Sequence, residues 1–253
     1  MYIEVAMNKS AAIHVYMMPG LAANNKIFER IKLSSPFEVH LLSWFMPNQD
    51  ESLVSYAERM CEHITHPKPV LIGVSFGGIL VQEMSKIISC KKVIIISSVR
   101  AWREFPIHMR ITRKTKAYKF FPVQWIDNLE DFVGFVFGPT ARKRMDLNKK
   151  YLSVRSPEYL NWSLEVLFNW SQDVPLPNVT HIHGTYDMVF PVLHLKDFIP
   201  VPKGTHVMIM TRAKWFSQNL PRIILTQTWV KSSLIVAAST WSDQQACSAY
   251  PIF

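Results

Sequence analysis

Five short, mostly apolar runs, each cut off by a turn signal, constrain this 253-residue chain more than any other feature. They are AIHVYMM (12–18) before Pro19-Gly20, FEVHLLSW (37–44) ahead of Pro47, VLIGVS (70–75) before Gly77-Gly78, KVIIISSV (92–99) and VTHIHG (179–184). Short apolar runs without strict alternation read as strands covered on both faces. Helical patterns lie between them. In ESLVSYAERMCEHI (51–64), Leu53, Tyr56, Ala57, Met60, Cys61 and Ile64 share one face. After Gly78, apolar Ile79, Val81, Met84, Ile87 and Ile88 interleave with polar Gln82, Glu83 and Lys86, a helix expected to pack on the sheet. Strand alternating with helix predicts an α/β fold with a mostly parallel central sheet flanked by helices.

The alternation breaks over residues 101–170, which are rich in aromatic and basic side chains and carry no clear buried strand. An insertion between two strands of a parallel sheet is expected to form a helical cap over the strands' C-terminal ends, where open α/β sheets bind ligands. The expected organisation is a core of residues 1–100 and 171–226, a cap of 101–170, and a tail of 227–253 with two charged residues and no assignable role. Between Arg100 and Arg155 stand thirteen Lys/Arg against five Asp/Glu, so most of the net charge of +9 lies there. Such a stretch attracts acidic substrates, anionic membranes or nucleic acid, or simply forms solvated helical faces. No nucleic-acid motif accompanies it, and no nucleic-acid partner is expected. The three cysteines (Cys61, Cys90, Cys247) form neither a disulfide framework nor a zinc pattern and fit a reducing compartment. No signal peptide is evident in MYIEVAMNKS and no segment suffices to span a membrane, so a cytoplasmic protein is expected.

GVSFG (73–77) places Ser75 where a strand pattern gives way to a helix pattern. A bare Gly-x-Ser-x-Gly is weak evidence alone, and a small residue in a tight turn explains it equally well. Its setting is nevertheless the one a nucleophile elbow requires. A serine hydroxyl needs a base to take its proton and an acid to orient that base, following in the order Ser, Asp/Glu, His in this architecture. HIHGTYDMVFP supplies Asp187 after a strand, with Asp173 in SQDVP as a rival acid. VPKGTHVMIM supplies His206, the one late histidine followed by an apolar helix start. His181 and His183 alternate on a strand and could share a metal, but two ligands without a third favour a structural role.

With these motifs in place, residues 11 to 225 resemble an α/β-hydrolase, of the small cytosolic bacterial type with a short cap. The resemblance rests on GVSFGG, on HGTYD with FP, and on GTH. It implies Ser75 as nucleophile, Asp187 as acid and His206 as base, with the N–H groups of Phe76 and Leu21 as the oxyanion hole. Members commonly carry His before the glycine that precedes Leu21, where this chain has Pro19. The 19-residue interval from Asp187 to His206 implies a trimmed last strand–helix segment. The implied reaction is cleavage of a carboxylic ester or thioester through an acyl-enzyme, with no cofactor or metal. The cap aromatics suggest a small-molecule substrate with an apolar acyl or alcohol group. The alternative is a ligand-binding protein of the same fold whose triad is weak or vestigial. The final core helix is expected over 214–225, with Trp215, Phe216, Leu220, Ile223 and Ile224 toward the sheet and Pro221 kinking or ending its first part.

Overall fold

The computed structural model describes residues 11–120, 151 and 156–226. Its six strands are β1 (Ile13–Met18), β2 (Phe37–Leu41), β3 (Val70–Val74), β4 (Lys92–Ile96), β5 (Val179–Gly184) and β6 (Ile199–Val201). They lie in the order β2-β1-β3-β4-β5-β6, and every neighbouring pair is parallel. Five correspond to the five apolar runs. The sixth, Ile-Pro-Val, is too short to show a pattern, and Pro200 is tolerated there because β6 lies at an edge.

The two faces of the sheet follow from the two-residue period of a strand. On β1, Tyr16 and Met18 join one hydrophobic cluster, while Ile13, Val15 and Met17 join the other. Helices α1 (Leu53–Cys61) and α2 (Phe76–Ile87) pack into the first cluster, beside α3 (Ile107–Thr115) and α4 (Pro157–Asn169). The short α5 (Met208–Thr211) and the longer α6 (Ala213–Leu225) pack into the second. The α1 stripe is the expected one: Leu53, Tyr56, Ala57 and Met60 are buried, and Ser52 caps the helix by accepting the Ser55 N–H. Phe216 and Leu220 of α6 are fully buried, and truncating either to Ala would cost about 2–5 kcal/mol.

Two helices depart from expectation. Pro221 neither ends nor divides α6, which runs helical to Leu225, and Trp215 is only partly buried. On α2 the polar residues do not form a solvent face, because Gln82 and Glu83 are buried. The Gln82 side chain donates to the Gly78 and Val99 carbonyls, and Glu83 accepts the Trp170 indole N–H and pairs with Lys86. The segment between β4 and β5 therefore covers a helix that sequence patterning leaves half exposed. Within that segment Arg100 is buried against Glu104, and Arg113 donates to the Phe168 and Trp170 carbonyls. Part of its positive charge thus holds the fold together. Residues 121–150, 152–155 and the tail lie outside the described residues. Among the described residues no helix is long and apolar enough to cross a membrane.

Candidate active site

Ser75 sits between the end of β3 and the first turn of α2 with φ 52° and ψ −119°, a backbone conformation that non-glycine residues rarely adopt. Such strain costs of order 1–3 kcal/mol and persists only where the surroundings enforce it. Here the Ser75 N–H donates to Ile96 O at 2.9 Å, and its carbonyl accepts from Gly78 N–H at 2.9 Å and Ser98 Oγ at 2.7 Å. The turn also demands the glycine two residues on. A β-carbon on Gly77 would lie 2.3 Å from Pro19 O and 2.7 Å from Met18 O, backbone atoms that cannot swing aside.

The other two predicted residues converge on this serine. His206 Nε2 lies 3.0 Å from Ser75 Oγ, and His206 Nδ1 lies 2.9 and 3.2 Å from the Asp187 carboxylate oxygens. The carboxylate can only accept, so Nδ1 carries the imidazole proton and Nε2 is left to accept the serine hydroxyl. Asp187 is 2% exposed, and its Oδ1 accepts the Val189 and Phe190 N–H groups. Burial alone would raise its pKa. The charge and hydrogen bond of His206, aided by His183 and the Phe190 N–H, outweigh that and hold it below the usual carboxylate value. It therefore remains ionised at neutral pH.

The loops bearing Asp187 and His206 are joined by their backbones. Thr185 N–H donates to Val201 O and Tyr186 N–H to Gly204 O. A β-carbon on Gly184 would come within 2.2 Å of Gly204 O, so glycine there lets the two loops touch. The short interval between them is spanned by β6 and a single 3-10 turn, Val192–His194, as a trimmed last segment implies. The rival acid is elsewhere: Asp173 is exposed, paired with Arg103 and accepting from the Trp102 indole.

Phe76 opens α2, where the backbone N–H has no intrahelical acceptor. Leu21 is buried in the turn after β1, and a β-carbon on neighbouring Gly20 would lie 3.4 Å from Ser75 Cβ, so this loop abuts the serine. Two residues that sequence reading did not single out hold the loop. Trp44 Nε1–H donates to Gly20 O at 2.7 Å and its ring stacks on Phe76 at 5.0 Å, while Tyr159 Oη accepts the Ala22 N–H at 3.3 Å. Neither has a local motif, since each acts from another element.

His181 and His183 are buried and bond to each other at 3.0 Å, with His183 Nε2–H donating to Phe190 O at 2.9 Å. That is the structural role the sequence favours, behind the acid loop. A separate cavity of about 1100 Å³ between residues 46–54, α2 and α4 includes none of Ser75, Asp187 and His206 in its lining.

No protein-family model and no curated protein matches the chain. Solved structures do. A thermophilic esterase from Thermogutta terrifontis (malate bound) superposes with a TM-score of 0.56 at 13% identity, covering 86% of this chain and 92% of that one. MGS-M2, an α/β-hydrolase enzyme from a Medee basin deep-sea metagenome library, gives 0.53 at 17% identity, covering 88% and 92%. A bromoperoxidase from Bacillus anthracis gives 0.55 at 16% identity, covering 85% and 92%. At such identities the likeness is one of architecture, and the chain has the α/β-hydrolase fold.

Proposed function

We propose that this chain is a serine hydrolase that cleaves a carboxylic ester or thioester through an acyl-enzyme. The observation that carries the reading is the hydrogen-bonded series Ser75–His206–Asp187, built on a strained turn at a helix N-terminus. In this mechanism Ser75 Oγ attacks the substrate carbonyl as its proton passes to His206 Nε2. Asp187 holds the imidazole in the required tautomer and offsets the charge it gains. The N–H groups of Phe76 and Leu21 receive the oxyanion, each donor contributing on the order of 10²–10³ in rate in comparable sites. The positive end of α2 adds to that stabilisation. His206 then protonates the departing alcohol or thiol, and a water, deprotonated by the same imidazole, releases the acid and restores Ser75. The residues named need no cofactor.

In this reading residues 101–170 act as the cap that selects the substrate. The packing of its described part supports this. Trp162 meets Phe76 edge-on at 6.2 Å, Tyr159 and Trp162 both contact Trp44, and all are buried. Aromatic surface at that position favours an apolar acyl or alcohol group. A cytoplasmic location belongs to the same reading, on the strength of the sparse cysteines. The test is hydrolysis of a chain-length series of p-nitrophenyl and thioester acyl substrates. Turnover that prefers one chain length and vanishes in Ser75→Ala supports the proposal. Binding of those acyl groups without turnover would favour the vestigial alternative.

A further inference from the structure

Three histidines from distant parts of the chain meet near the β1–β2 edge of the sheet. His14 is second in β1, His40 is fourth in β2, and His66 lies between α1 and β3. One ring nitrogen of each lies within 4.8 Å of the other two. His14 stands four residues before the end of β1, roughly 13 Å back along the strand from the end that faces the serine site. Its face of the sheet is the one α1 covers, but α1 stops at Cys61 and leaves this corner partly open.

The donor atoms lie close enough together to share one cation. His14 Nδ1 and His40 Nε2 are 3.1 Å apart, close to the spacing of about 3.3 Å between nitrogens that share a tetrahedral zinc at 2.0–2.1 Å. Glu38, opposite His14 in the β1–β2 register, brings Oε2 to 3.4 Å from the same Nδ1. Tyr16 Oη lies 2.7 Å from His66 Nδ1 and also receives the Thr65 N–H at 3.2 Å. A phenol so placed can accept a hydrogen bond from Nδ1–H, which leaves Nε2 with its lone pair, as an outer partner of a metal-bound histidine does. Three imidazoles and one carboxylate form a donor set suited to zinc-class ions. One rearrangement is required. His14 and His66 stack at 3.5 Å with 12° between their planes, which sets their lone pairs side by side, so His66 must rotate. Its partly exposed loop position leaves room for that.

We infer that His14, His40 and His66 form a binding site for a zinc-class divalent ion, with the Glu38 carboxylate as an additional oxygen donor. The ion ties edge strand β2 to β1 and to the loop ahead of β3, and takes no part in chemistry at Ser75.

The full chain, stripped with chelator and dialysed, is titrated with Zn²⁺ alone by calorimetry, and metal content is measured after gel filtration. One ion per chain is expected, with a melting temperature that rises with zinc. His40→Ala and His66→Gln should each weaken binding about tenfold or more, while exposed His63→Ala and the serine-site variant His206→Ala bind as wild type does. His66→Gln changes a loop side chain and keeps the test informative should His40→Ala fail to fold. Absence of zinc from the wild-type chain, or equal retention by His66→Gln, overturns the inference. So does loss of zinc in His206→Ala with retention in His66→Gln, which would move the ion to the serine site. Ester hydrolysis is not a readout, so failure of the hydrolase reading leaves this result intact.

Discussion

Ser75 is held at φ 52° by three hydrogen bonds to its backbone groups, one of them from the Ser98 hydroxyl, and nothing in the sequence pattern reveals that strain directly. What the sequence does show is the chemistry such strain needs: glycine on either side, a strand before and a helix after. Asp187 and His206 were legible for the same reason, as an acid and a base at the ends of later elements, but their contact spans 19 residues and required the fold. Asp187→Asn should lower kcat by roughly 10⁴, because the amide favours the wrong imidazole tautomer. Asp173→Asn, on the exposed Arg103 pair, should leave steady-state kinetics unchanged. The depressed pKa of Asp187 also links it to stability. Its contribution is present above the ordinary carboxylate value near 3.8 and is lost as pH falls through the lower folded value. The stability gap between wild type and Asp187→Asn, followed by denaturant melts, should therefore narrow as pH drops below about 4. Trp44 was not legible, since its indole serves a carbonyl 24 residues away. Trp44→Phe keeps the stacking on Phe76 but frees Gly20 O. It should reduce kcat about tenfold with little change in KM, as expected for one hydrogen bond worth about 1 kcal/mol or slightly more.

Strands announced themselves where they are long and buried, and β1, β3, β4 and β5 lie inside the sheet. The β6 strand was hidden because three residues cannot display a period, and α2 was half misread because periodicity cannot see what later packs upon a polar side chain. Trp170 and Gln172, arriving from beyond α4, bond to the buried Glu83 and Gln82. The β5 strand offers a test of its own. Burial is the main cause that lowers the pKa of both His181 and His183, with neighbouring charges adding for His181, so the folded state keeps them neutral. The unfolded chain takes up those protons near the ordinary value of about 6.5, so stability should decline as pH falls below it. A His181→Gln variant should show a shallower decline in melts taken between pH 7 and 5. At the elbow, Gly77→Ala drives a methyl group into the Pro19 and Met18 carbonyls. A cost of about 3 kcal/mol is expected, roughly 6–12 °C in melting temperature for a domain of this size, readable by calorimetry.

The chain as a folded unit combines an all-parallel six-stranded sheet, the strained Ser75 at its C-terminal edge, and an inserted segment whose Trp162 lies against the residue after that serine. The α/β class was legible because strand and helix patterns alternate. The covering role of the insertion belongs to the proposed function, since aromatic and basic residues look alike whether they shield a site or face water. What unites sequence and structure is one claim, that Ser75 is an activated nucleophile. Labelling with a fluorophosphonate probe tests it most directly, because phosphonylation needs the hydroxyl, its base and the oxyanion donors but no knowledge of the natural substrate. The wild-type chain should label stoichiometrically at Ser75, Ser75→Ala not at all, and His206→Ala far more slowly. A folded wild-type chain that takes up no probe, or one labelled equally well after Ser75→Ala, would contradict it.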